Sequence, residues 1–179
     1  MITMSVFRIG NEVVDYEIHL LERHLRLLDT ELAAIHTAIA LSADPDTDGL
    51  FDAGEYFIGS GFVAIQRYIT SVRCSEKVAQ DVALKIPPVL SNGMPFAQAL
   101  HVGANYWKHV EEWFEPAFKG SALNGLAAKT LDTLEKSTPW AEYTCSNLLA
   151  QFGDSNQLLL TPLIPKIMHW RNAMMKLSP

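Results

Sequence analysis

Between residues 11 and 42, apolar side chains recur at Val14, Ile18, Leu21, Leu25, Leu28, Leu32, Ile35 and Ile39, in alternating steps of four and three. This is an unbroken heptad stripe over about three and a half repeats, and a helix is the structure that gathers such positions on one face. A second line, Leu20, Leu27, Ala34 and Leu41, runs about 100° from the nearer edge of the stripe. The apolar face is therefore wider than a two-stranded seam. It predicts a helix packed against more than one neighbour, as in a bundle. Asn11 reads as its N-cap, with Glu12 favourably placed near the positive helix end.

After an acidic interruption at 43–52, a second helix is expected from about Ala53, with Ile58, Phe62, Ile65, Ile69 and Val72 inward. Gly59, Ser60, Gly61 and Ala64 give it a small-residue surface suited to close helix–helix approach. Ser75 is placed to cap a continuation through Lys85, and IPPVLSNGMP (86–95) reads as a loop. A third main helix covers 95–115, stopped by Pro116. Ser121 caps a shorter one at 122–136, Thr138-Pro139 opens one ending at Gly153, and Thr161-Pro162 opens the last, to about Lys176. Leu158–Leu160 is the only short β-like run. The expected architecture is all-α: a single-domain helical bundle over residues 1–179, with five to seven helices and a long N-terminal one.

Composition narrows the partners. A net charge of −6, without a lysine or arginine run, argues against duplex DNA and anionic membranes, which reward a positive patch. Two cysteines, Cys74 and Cys145, form no CxxC pair. Both sit in apolar helical surroundings and read as core, and a reducing cytoplasm is the expected compartment. The first residues lack the basic start and apolar core of a signal peptide. Catalytic signatures such as a nucleophile elbow, HExxH or a P-loop are absent.

Residues 44–55, DPDTDGLFDAGE, carry the most specific pattern. Asp44, Asp46 and Asp48 stand at positions 1, 3 and 5 of a twelve-residue loop, with Gly49 at 6, the Leu50 carbonyl at 7, Asp52 at 9 and Glu55 at 12. Over this stretch, between two expected helices, the chain resembles an EF-hand loop, and the resemblance implies calcium. A metal-free reading also accounts for much of it. Asp52 and Glu55 fit a capping box, while Asp44-Pro45 and Asp48-Gly49 are turn formers.

On the third helix His101, Asn105, Lys108 and Glu112 fall within about 60° of one another, with His109 beside them. They form either a solvent face or a polar groove suited to phosphate or carboxylate. The stretches ANYWKH (104–109) and HWRN (169–172) resemble the motif regions of HEPN-type domains, all-α bacterial bundles of defence and toxin–antitoxin systems, many of them ribonucleases. The resemblance implies an RNA-binding or ribonuclease-related protein. The arginine–histidine spacing of that family has no counterpart, and Lys176 stands where the histidine would follow Arg171-Asn172. The leading expectation from the residues themselves is a non-enzymatic cytoplasmic bundle acting through contacts with a protein partner or with itself as a homo-oligomer. Calcium binding and an RNA-directed role are the alternatives.

Overall fold

The computed structural model describes residues 6–9, 12–118, 125–138, 142–153 and 158–177. The chain opens not with the helix but with an antiparallel pair of strands, β1 (Val6–Ile9) and β2 (Glu12–Asp15), in register Val6 opposite Asp15. Val13 and Val14 thus belong to β2, where β-branched side chains are favoured. The expected cap Asn11 lies outside the described residues. Asp15 takes the capping role: its Oδ1 accepts from the Ile18 N–H at 3.0 Å, and α1 runs from Tyr16 to Leu41.

A short loop returns the chain into α2 (Leu50–Ser75), and α1 and α2 pack along each other as an αα-hairpin. The heptad stripe is the buried side of α1 as far as Leu32: Ile18, Leu21, Leu25 and Leu32 are buried and Leu28 packs against the core, whereas Ile35 and Ile39 are only half-buried. The second line is not covered by any described element. Leu20, Leu27, Ala34 and Leu41 all face outward, so α1 does not bury the wide face expected of it.

α2 is the central helix, touching α1, α4 (Phe96–Phe118), α6 (Thr144–Ala150) and α7 (Ile164–Met174). Its small residues permit this. A Cβ on Gly59 would sit 2.2 Å from the indole ring of Trp107, and one on Gly61 would sit 2.4 Å from Leu160. The second helix starts at Leu50, ahead of Ala53, behind a left-handed Gly49 (φ 70°), the kind of backbone a glycine adopts without strain. The continuation expected through Lys85 breaks instead: α2 ends at Ser75, and a single-turn α3 spans Gln80–Ala83. α4 does not stop at Pro116 but runs on to Phe118, so that the proline forfeits a single i→i−4 bond close to the helix end. α5 is Gly125–Glu135, packed on α4, with the expected cap Ser121 outside the described residues. Leu158–Leu160 is not a strand. It leads into a 3₁₀ turn (Thr161–Leu163) that continues into α7. Cys145 is buried as expected, whereas Cys74 is exposed. The described residues thus form seven α-helices and one small hairpin, an all-α fold with a long first helix. No described helix is long and apolar enough to cross a membrane.

Two buried junctions tie the ends of this bundle together. Asp15 Oδ2 accepts from the Tyr68 hydroxyl and from the Arg171 guanidinium, both at 2.6 Å, joining α1, α2 and α7 at one carboxylate. Trp170, fully buried, donates its indole N–H to the Ala83 carbonyl at 2.9 Å, which fixes α3 on α7.

Candidate functional site

The acidic loop does not gather its oxygens. Asp44 accepts from the backbone N–H and hydroxyl of Thr47, and these bonds hold its carboxyl below the usual carboxylate range. Asp48 accepts from the Ser42 hydroxyl at 2.6 Å, and Asp46 accepts from the Tyr143 hydroxyl. Leu50 opens α2, so its carbonyl joins the helical ladder. Asp52 is exposed in the first turn and makes no capping bond, because the N-cap position belongs to Gly49. Glu55 reaches away from the loop altogether. Its two oxygens accept from the N–H of Cys145 (2.6 Å) and the N–H and hydroxyl of Ser146 (both 2.8 Å), so it caps α6 from a distance. The capping box expected at 52–55 is thereby replaced by a cap on another helix. Among the described residues, no group of three or more histidine, cysteine, aspartate or glutamate side chains is placed to hold a metal ion.

The loop instead works as a clasp on the segment that starts α6. Asp46 holds the Tyr143 hydroxyl and pushes its pKa up to about 12, Phe51 meets the Tyr143 ring edge-on at 5.4 Å, and Glu55 holds Cys145 and Ser146. Burial, then the charge of Glu55, pushes the Cys145 thiol well up, so it stays protonated. Glu55→Gln is accordingly expected to lower unfolding free energy by about 1–2 kcal/mol, since a charged acceptor at a helix N-terminus becomes a neutral one. Millimolar calcium should leave the thermal midpoint of both proteins unchanged. A calcium-dependent rise in the wild-type midpoint would show instead that the carboxylates can be drawn together.

The polar positions of α4 divide into two groups. His109 and Glu112 form one pair, 3.2 Å apart, with the His109 ring stacked on Trp113. His101, Asn105 and Lys108 form the other, assembled around Gln66 of α2. Lys108 only donates, and it gives to Gln66 Oε1 at 2.8 Å. That turns the Gln66 NH₂ toward Asn105 Oδ1 (2.9 Å) and the His101 carbonyl (3.2 Å). Asn105 Oδ1 being used as acceptor, the Asn105 NH₂ faces the imidazole, 3.1 Å from His101 Nε2. Gln80, from α3, approaches the same nitrogen at 3.1 Å. One ammonium thus orients each amide behind it. Burial first, then the charges of Lys108 and Arg73, lowers the His101 pKa and keeps the ring neutral; burial also lowers that of Lys108.

His101, Asn105 and Gln80 line a cleft of about 590 Å³ between α3, α4 and α5, with Lys85 and Lys129 also on its walls. The polar stripe is therefore neither a plain solvent face nor one continuous groove. Gln66 and Gln80 went unnoticed in the sequence. Gln66 left a trace there, a lone amide among the inward positions Phe62, Ile65 and Ile69, whereas Gln80 left none.

In the stretch HWRN (169–172), Arg171 is buried. Its guanidinium donates to Asp15 and, through Nε and Nη2, to the Asn172 side-chain oxygen, so it is engaged structurally. Comparison with protein-family models, with curated proteins and with solved structures found no match.

Proposed function

We propose that the protein acts through contact with a second copy of itself, two α1 helices pairing antiparallel along Leu20, Leu27, Ala34 and Leu41. The observation that carries this reading is the exposure of that line: Leu20 is 67% exposed, Leu27 63% and Leu41 83%. Single exposed leucines are ordinary. A row spaced by sevens, about 32 Å from end to end on one helix, supplies one of the two apolar positions that a helix–helix seam repeats. Tyr16, also exposed, extends it toward the N-terminus.

Helix dipoles favour antiparallel pairing of two copies. An antiparallel pair sets Leu20 of one helix against Leu41 of the other, and Leu27 against Ala34. It also opposes the two helix dipoles and closes as a two-fold dimer. A parallel pair would align the two dipoles.

Sedimentation or light scattering across a concentration series tests this. The wild type should reach twice the 19.9 kDa chain mass at high micromolar concentration. Leu20→Glu/Leu27→Glu should remain monomeric with unchanged helix content. A wild type that stays monomeric ends the proposal, and a dimer that survives the double substitution places the interface elsewhere.

A further inference from the structure

The cleft between α3, α4 and α5 raises a separate question, independent of the α1 face. Its inner wall has more N–H groups than acceptors. A neutral imidazole offers one donor and one acceptor. His101 Nδ1 lies 3.0 Å from the Gln66 NH₂, and Nε2 lies against the NH₂ of Asn105, with the Gln80 amide as its other neighbour. Whichever ring nitrogen holds the proton, an imidazole N–H meets an amide NH₂. Exposed Gln80 can turn either end inward, but Asn105 cannot, because the chain from Lys108 through Gln66 fixes it. The amide dipoles of that chain run the same way, with oxygen toward Lys108 and nitrogen toward the imidazole. Such aligned hydrogen bonds reinforce one another. The ammonium thus passes part of its positive character to the cleft wall.

The remaining walls fit the same kind of ligand. Lys85 and Lys129 bring two positive charges against the single carboxylate of Asp81, a local excess of one in a chain of net charge −6. Leu84, Val102 and Leu126 supply apolar surface beside them. The cleft volume, about 590 Å³, is that of sites for small organic molecules.

We infer that this cleft binds a small organic oxyanion, a carboxylate or phosphate ester, whose head accepts hydrogen bonds from Asn105, His101 and Gln80 and whose apolar body lies on Leu84, Val102 and Leu126. The bound oxygens supply the acceptors that the cluster lacks, and Lys85 and Lys129 balance the charge.

Isothermal titration with benzoate and phenyl phosphate, and with benzylamine as a cation of similar shape, tests the inference. At least one of the two anions should bind saturably in the millimolar range or tighter, and which one does distinguishes the carboxylate from the phosphate head. Benzylamine should not bind. Lys129→Met, a change on an exposed position of α5, and Lys108→Met, at the root of the amide chain, should each weaken the anion by about tenfold. Helix content measured alongside separates this loss from unfolding, and Lys129→Met serves if Lys108→Met fails to fold. No saturable binding of either anion, equal binding of benzylamine, or wild-type affinity in folded Lys129→Met would overturn the inference.

Discussion

Asp15→Ala is expected to remove about 3–5 kcal/mol of unfolding free energy, the usual cost of breaking a buried ion pair from one side. Three losses coincide at this residue. The first turn of α1 loses the acceptor for the Ile18 N–H. The Tyr68 hydroxyl, which burial and the neighbouring carboxylate push far above its usual range, loses its partner. Arg171 keeps its bonds to Asn172 but loses the carboxylate that faces it in a buried position. Urea unfolding of Asp15→Ala, Arg171→Met and the double variant would measure this. The double variant should cost clearly less than the sum, because removing both charges leaves neither one buried alone. A loss below about 1 kcal/mol in Asp15→Ala, the value of an exposed pair, would mean that water solvates the guanidinium.

None of that junction was legible beforehand, for a physical reason. Helical periodicity reports which residues of one element face inward, and it did so well for Ile18, Leu21, Leu25 and Leu32, and for Ile58, Phe62, Ile65, Ile69 and Val72. It says nothing of which side chains meet across elements. Asp15 and Arg171 lie at opposite ends of the chain, and neither carries a local pattern that names the other. The start of α1 was misplaced for a related reason. Val14 satisfies the heptad as well as it satisfies a strand, and only the pairing of β2 with β1 decides between them.

Carboxylates were the residues most open to misreading. Glu55 fits the last position of a calcium loop and the last position of a capping box, yet it caps α6. Asp29, set within the heptad region, does the same for the 3₁₀ turn before α7, accepting from the N–H of Leu160 at 2.7 Å and of Thr161 at 2.9 Å. The helices starting at Thr144 and Ile164 have no side-chain cap of their own at the preceding residue. Long helices α1 and α2 therefore provide what the later, shorter elements lack. A helix N-terminus attracts a carboxylate wherever in the chain it comes from, so local spacing cannot tell a metal ligand from a distant cap. Gly59 of α2, by contrast, is legible, because a lack of side chain has few uses in a helix interior other than close approach, and Trp107 of α4 lies against it, while Gly61 meets Leu160 from outside any helix.

That close approach gives the other large effect, at Gly59. Replacing a helical glycine with alanine ordinarily gains about 1 kcal/mol from the backbone. Here the new methyl would lie 2.2, 2.5 and 2.7 Å from three atoms of the Trp107 indole. The indole is a rigid bicycle, and the methyl would meet it at Cγ and Cδ2, beside its point of attachment, so a small turn of the ring does not clear the clash. Either the ring leaves its place or α2 and α4 move apart. Overpacking of this kind costs about 1–3 kcal/mol, and two displaced helices put the expected value at the upper end, which outweighs the backbone gain. Gly59→Ala should therefore destabilise by about 2 kcal/mol net. Gly59→Ala/Trp107→Leu should recover much of that loss relative to Trp107→Leu alone, since the methyl then enters space the indole has vacated. Equal effects of Gly59→Ala in the two backgrounds would mean that the methyl meets something other than the indole. A stabilised Gly59→Ala would mean that the two helices pack less closely at this point than 2.2 Å implies.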